Sequence, residues 1–142
     1  MKIEIYTTED FLLKIKDNDS LWESCASLVS NTAKAHSGLT HRVMVYKMGN
    51  DEIAGVRYFF YDEAKKVCWL YYLFVTPKFR RSGIAKKLIE ETIDHSVNIG
   101  LSYFDLVLTL TNVAAPAFYK IYKNLAINRG IKIDINGERI RY

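Results

Sequence analysis

Leu73-Phe74-Val75-Thr76-Pro77-Lys78-Phe79-Arg80-Arg81-Ser82-Gly83-Ile84-Ala85 is the stretch on which the reading of this chain turns. Upstream, Val67 to Val75 run as Val-Cys-Trp-Leu-Tyr-Tyr-Leu-Phe-Val, apolar or aromatic on both faces, as a strand covered on both sides in a sheet centre requires. Downstream, Ala85, Leu88, Ile89, Thr92, Ile93 and Val97 recur at helical spacing until Gly100. The quoted stretch is therefore a strand-to-helix junction. The first N–H groups of a helix lack internal acceptors and carry the positive end of its macrodipole, so they attract anions. Gly83 and Ala85 let a diphosphate approach the backbone, because a larger side chain would fill that space. Lys78, Arg80 and Arg81 add mobile positive charge. The composite reads as a pyrophosphate cradle, although a plain turn with solvated arginines would account for Gly83 alone.

Working outward, Ile3 to Tyr6 reads as a first strand, and Thr7 or Thr8 caps a helix with Glu9 and Asp10 in its first turn. Asp19 or Ser20 caps a second helix, in which Trp22, Cys25, Ala26, Val29 and Ala33 share a face until Ser37-Gly38. From Arg42 the period shortens, and Val43, Val45 and Met48 lead through Gly49-Asn50-Asp51 into a strand from Ile53 to Tyr61. Tyr103 to Thr111 reads as a strand, Ala114 to Ala126 as a helix, and Ile131 to Ile135 faces Arg139 to Tyr142 across Asn136-Gly137 as a hairpin. Two strands joined by a helix are parallel neighbours or near-neighbours with a right-handed crossover, so Val67–Val75 and Phe104–Leu110 form a βαβ unit. The expected fold class is α/β (α+β), a mixed central sheet flanked by helices in the order βααβββαβαββ, with residues 1–142 as one domain.

Arg80-x-x-Gly83-x-Ala85 resembles the acetyl-coenzyme A signature of the GNAT superfamily of N-acetyltransferases, Arg or Gln-x-x-Gly-x-Gly or Ala. The spacing gains weight from its setting: an apolar strand ending Leu-x-Val-x-Pro before it, an amphipathic helix after it, then Asn112-x-x-Ala115-x-x-Phe118-Tyr119, similar to the superfamily's Asn-x-x-Ala-x-x-Phe or Leu-Tyr motif. The resemblance implies a GNAT-like sheet with acetyl-CoA in the splay between its two central parallel strands. It implies that Phe74 and Val75 pair with the pantetheine arm. The amides of Arg81, Ser82, Gly83, Ile84 and Ala85 would hold the diphosphate, Arg80 or Lys86 would reach its oxygens, and Asn112 would orient the arm. It implies direct transfer of the acetyl group to a primary amine, with Tyr119 as the acid that protonates the departing thiolate. A phenol of pKa about 10 is protonated at neutral pH and can donate to a thiolate whose conjugate acid lies near 8.5.

Two features depart from that pattern. No Gly-Phe pair follows Tyr119, and Val67–Val75 carries no carboxylate where relatives that deprotonate basic amines often place a Glu. Tyr71 or Tyr72 ordering a water chain, and Asp105, are the nearest substitutes, and each reads more readily as structural. A weakly basic α-amino acceptor, of pKa about 8, would need little help. Tyr58-Phe59-Phe60-Tyr61 lines the acceptor side with alternate members in the core. The missing carboxylate also keeps open a CoA-binding module without turnover.

Composition sets the remaining bounds. A chain of 142 residues with 49% hydrophobic and 25% charged residues buries a core without staples and is neither disordered nor coiled coil. The formal charge of +4 mildly favours an anionic partner, but the basic residues are too scattered for a nucleic-acid binder. Cys25 and Cys68 read as reduced core residues, and His36, His41 and His95 lack ligand spacing, so no metal is expected. Without a secretory layout at the N-terminus or a run of roughly 18 apolar residues, the expected setting is cytoplasmic, with no membrane partner. The expected acceptor is a small-molecule or peptide amine, and an exposed edge on the terminal hairpin would serve a homodimer.

Overall fold

The computed structural model describes residues 2–15, 22–107, 124, 127–128, 134–136 and 139–141. Its elements are β1 (Lys2–Tyr6), α1 (Thr8–Ile15), α2 (Glu23–Ala35), β2 (Thr40–Lys47), β3 (Ile53–Asp62), β4 (Val67–Val75), α3 (Ile84–Asn98), β5 (Tyr103–Val107), β6 (Asp134–Asn136) and β7 (Arg139–Arg141). They build a seven-stranded sheet in the order β1-β2-β3-β4-β5-β7-β6. Every neighbouring pair is antiparallel except β4 and β5, which run parallel in register Val67↔Tyr103 to Leu70↔Leu106. This is the α+β mixed sheet that the sequence predicts. The helix expected over Ala114 to Ala126 and the strand end Leu108 to Thr111 lie outside the described residues.

Local chemistry explains several boundaries. Thr7 caps α1 through its side-chain oxygen, which accepts from the Asp10 N–H at 3.2 Å. The caps read at Asp19 or Ser20 lie outside the described residues. Helix α3 closes on Gly100 at φ 88°, where Gly100 N–H donates to Val97 O and Leu101 N–H to Ser96 O, a left-handed cap that suits glycine. The terminal hairpin differs from expectation by one position. Asn136 pairs with Arg139 as a strand residue, so the two intervening positions are Gly137 and Glu138 instead of Asn136 and Gly137.

The sheet buries both faces. Helix α3 covers one, packing Ile84, Leu88, Ile89 and Ile93 on Met44, Ala54, Phe59, Cys68 and Leu70. Helices α1 and α2 cover the other, packing Phe11, Ile15, Trp22, Cys25 and Val29 on Val43, Val45, Val56, Tyr58 and Phe60. The α3 stripe ends differently from its sequence pattern: Ser96 is buried with its hydroxyl against Cys68 Sγ, and Val97 faces out. Thr92 is buried because its hydroxyl donates to Leu88 O at 2.6 Å.

One glycine fixes how closely α3 approaches. A Cβ on Gly55 would stand 3.1 Å from Ile84 Cγ2, 3.1 Å from Leu88 Cδ1 and 3.2 Å from Phe74 O. A side chain there must push the first turn of α3 off the sheet, so Gly55→Val is expected to cost about 1–3 kcal/mol, read as a lower urea midpoint. At the other end of the sheet, Glu4 accepts from Lys2 (2.7 Å), Lys47 (2.8 Å) and the Tyr6 hydroxyl, tying β1 to β2. Hydrogen bonds from Lys2, Lys47 and Tyr6 hold the Glu4 carboxyl down at about 2, below its ordinary 4.5. A depressed carboxylate stabilises the fold above its ordinary value and stops doing so as pH falls through the depressed one. Thermal midpoints followed from above 4.5 down to about 2 should therefore fall less steeply in Glu4→Gln than in the parent protein.

Candidate functional site

The site begins where β4 leaves the sheet. Thr76 is buried, and its N–H and hydroxyl both donate to Ala54 O, at 2.9 and 3.3 Å. Pro77 opens a single 3-10 turn, Pro77–Phe79, closed by Phe79 N–H to Thr76 O and Arg80 N–H to Pro77 O. The next backbone bond is Lys87 N–H to Gly83 O at 3.0 Å, the first of α3. Among the described residues, nothing accepts from the amides of Arg81, Ser82, Gly83, Ile84, Ala85 and Lys86. Arg81 (φ 64°) and Gly83 (φ 83°) are both left-handed, a backbone that makes successive N–H groups converge on a concavity suited to an anion. For Arg81 that conformation costs about 1–3 kcal/mol, whereas Gly83 adopts it freely and has open space where a Cβ would be. The residues present therefore fit a diphosphate, with the buried Ile84 anchoring the turn and the half-buried Ala85 small enough to leave it accessible.

The flanking cations divide into two kinds. Lys78 is not mobile charge, as its position in the sequence suggests, because it is paired with Glu52 at 2.6 Å and lies over the Phe79 ring. Arg80 is folded back as well: its Nε donates to Val75 O at 2.9 Å and its guanidinium lies 5.4 Å from the Phe74 ring centre. Arg81 and Lys86 are exposed and make no ion pair among the described residues. The Ser82 hydroxyl donates to Phe79 O.

The edge of β4 corrects one expectation. Thr76 N–H bonding to Ala54 O makes Gly55↔Val75 a non-hydrogen-bonded pair, so Phe74 exchanges its backbone bonds with Val56 on β3. The backbone groups of Leu73 and Val75 point the other way, toward the β5 side. Leu73 and Val75, not Phe74, thus offer main chain to a ligand arm there, and Arg80 already occupies the Val75 carbonyl. The cause is a bulge: the register steps from Tyr58↔Tyr72 to Phe59↔Leu70, leaving Tyr71 unmatched and shifting the strand's alternation by one. Among the described residues, β5 pairs with β4 only as far as Leu70, just short of this bulge. The strand is consequently less covered than its sequence suggests, with Leu73, Phe74 and Val75 half-buried and Tyr71 43% exposed.

On the α1–α2 face the bulge is bordered by rings. Trp22 meets Phe74 edge-on at 5.7 Å, and Phe74 stacks on Tyr72 at 6.3 Å. Tyr58 is held by His41, whose Nε2–H donates to His36 O at 2.7 Å and whose Nδ1 accepts from the Tyr58 hydroxyl at 2.7 Å. Burial pushes the Tyr72 phenol up to about 12 and raises that of Tyr58 too, so both are neutral at pH 7. No group of potential metal ligands occurs among the described residues. Asp105 stands opposite Trp69 in the parallel register. Tyr119 and Asn112, the sequence-predicted acid and arm-orienting residues, lie outside the described residues.

The fold agrees with that of known proteins. Residues 6–122 match the model of the acetyltransferase (GNAT) family, and the chain belongs to that family. It is 32% identical to an uncharacterized N-acetyltransferase of Archaeoglobus fulgidus, over 54% of this chain and 55% of that protein, so the match spans about half of the relative's length. Among solved structures it resembles Tetrahymena GCN5, with a TM-score of 0.66 at 15% identity, covering 99% of this chain and 94% of the other. A variant of the spermidine N-acetyltransferase SpeG from Vibrio cholerae gives 0.62 at 16% identity, with coverages of 99% and 94%. An aminoglycoside acetyltransferase from an uncultured soil metagenomic sample, in complex with sisomicin, gives 0.60 at 21%, with 86% of each chain covered. At these identities the structural likeness speaks for the fold.

Gly55, the main-chain role of Leu73 and the left-handed backbone of Arg81 escaped the sequence reading, and Tyr71 entered it only as a residue that could order a water chain. Only Gly55 carried a visible signal, an isolated glycine inside an apolar strand. The two thiols bear on how a group would be transferred. Burial pushes Cys25 and Cys68 up to about 12, which keeps them protonated and poorly nucleophilic. Neither is expected to react with a thiol reagent at neutral pH until denaturant is added, and intact-protein mass spectrometry after exposure to acetyl-CoA should find no acetyl on either.

Proposed function

We propose that this chain is an N-acetyltransferase that moves an acetyl group directly from acetyl-CoA to a primary amine. The observation that carries the reading is the row of amides from Arg81 to Lys86 that find no acceptor among the described residues, at the left-handed start of α3, beside the β5-side backbone groups of Leu73 and Val75. Acetyl-CoA, when bound, supplies a thioester carbonyl open to attack by an amine lone pair. The amides of Arg81 through Ala85 hold its diphosphate, and Arg81, Lys86 and the free end of Arg80 add charge-assisted bonds. Leu73 and Val75 line up the pantetheine arm by main-chain pairing, Asn112 orients it, and Tyr119 gives its proton to the departing thiolate. The protonated buried thiols favour direct transfer over an acyl-cysteine route. They also suit a reducing, cytoplasmic setting, and no helix among the described residues is long and apolar enough to cross a membrane.

Calorimetric titration with CoA tests the cradle. Gly83→Glu forces a bulky anion into a left-handed position and is expected to weaken binding at least tenfold, roughly 1.4 kcal/mol or more; undiminished heat would place the nucleotide elsewhere. Tyr119→Phe is expected to lower kcat by about a hundredfold with little change in the KM for acetyl-CoA, and equal turnover would remove Tyr119 from the acid role. The lack of any carboxylate on β4 favours one second reading, a CoA-binding module without catalysis. Tight CoA binding with no thiol release across a broad amine panel is its signature.

A further inference from the structure

The surroundings of the β4 bulge narrow the acceptor. Leu73 and Val75 pack against the α3 core on one side of the sheet, so that side is closed to an incoming amine. That leaves for the acceptor the other side, on which Tyr71 stands exposed. It is a wall of rings. Tyr71 lies edge-on to Tyr58 at 6.0 Å and tilted on Phe60 at 5.9 Å. Phe60 is itself sandwiched between His36 at 5.1 Å and Trp69 at 5.6 Å. The His41–Tyr58 hydrogen bond fixes the ring beneath Tyr71, so the platform is rigid before anything binds. The described residues that β2, β3 and β4 turn to this face, from Val43 and Val45 through Tyr58 and Phe60 to Trp69 and Tyr72, include no carboxylate; the nearest acidic register position is Asp105 on β5, opposite Trp69.

Two consequences follow from that chemistry. A polyamine or aminoglycoside carries several ammonium groups, each needing an anionic partner to offset its lost hydration, whereas the described residues of β2, β3 and β4 on this wall supply none and Asp105 on β5 would serve one at most. It offers instead stacking for a planar body and a ring face for one cation. Strand β4 carries no carboxylate, and burial holds the Tyr58 and Tyr72 phenols neutral, so neither offers a base for a strongly basic amine. An α-amino group, with a pKa about 8, delivers a usable neutral fraction without help.

We propose that the acceptor is an α-amino group borne next to an aromatic side chain, as in an aromatic α-amino amide or an aromatic peptide N-terminus, with its ring against Tyr71 at the β4 bulge. The proposal rests on the acetyltransferase reading above. In the transfer, the nitrogen lone pair forms the new C–N bond to the acetyl carbon and the C–S bond breaks. The thiolate takes a proton, and the nitrogen releases one to water. Tyr71 is a specificity residue, since it touches the body of the acceptor and leaves the cofactor alone.

The test is steady-state thiol release from acetyl-CoA with phenylalanine amide, alanine amide and spermidine as probes, on the parent chain, Tyr71→Ala and Tyr71→Phe, with calorimetric CoA binding measured on each. Phenylalanine amide is expected to be the best of the three. Tyr71→Ala should raise its KM about three- to tenfold while leaving alanine amide unaffected, and Tyr71→Phe should restore it. Tyr71 is exposed, so the fold should tolerate both variants, and unchanged CoA binding confirms that they are folded. Spermidine or alanine amide matching phenylalanine amide, or a preference that survives Tyr71→Ala, overturns the acceptor assignment while leaving acetyl transfer in place. CoA binding without transfer to any probe overturns it in favour of the binding module. Loss of CoA binding in the parent chain overturns the acetyltransferase reading itself.

Discussion

The contact of Ile84 and Leu88 with the bare Cα of Gly55 is the constraint on which the site depends. It seats the first turn of α3 against the middle of the sheet at a distance no side chain would allow. Because Ile84 is buried there, the helix start cannot drift, and the residues before it must cover the gap from Thr76 in one tight path. That path uses a 3-10 turn and two left-handed residues. Its product is a set of amides with no acceptor, facing outward at the positive end of a helix. Burial on one side of the turn and an electrostatic opening on the other are thus consequences of a single packing decision.

The bulge at Tyr71 is the second organising feature, and it acts through parity. One extra residue in β4 exchanges the faces of everything after it: Leu73 and Val75 join the α3 core, and Tyr72 and Phe74 join the core under α1 and α2. The same step turns the backbone groups of Leu73 and Val75 toward the β5 side. It also lifts Tyr71 out of the core to stand on Tyr58 and Phe60. The β5-side backbone of Leu73 and Val75 and the aromatic wall therefore meet at one point because one strand carries one residue too many.

Much of the fold was legible in the chain, since periodicity reports which residues must leave water. The Leu88-Ile89-Thr92-Ile93 stripe, the continuous apolar run of β4 and the glycine stop at Gly100 each describe a local requirement that the structure meets. Errors arose where a residue's fate depends on a distant partner. Ser96 is buried in place of Val97 because its hydroxyl finds Cys68 from another strand. Lys78 reads as free charge until Glu52, from the β2–β3 turn, is brought beside it. Phe74 reads as an arm-pairing residue until the bulge assigns its backbone to Val56.

By itself the sequence determined most of the described elements, their parallel crossover and the glycine-started helix with its unbonded first amides, because these follow from side-chain periodicity and from backbone groups left unbonded within a few residues of one another. Only the tertiary structure decided which backbone groups of β4 bond to β3, which cations are already paired and which rings surround Tyr71. Each of those depends on strand register and on contacts between residues far apart in the chain. A one-residue bulge reverses register without leaving a mark in the local pattern.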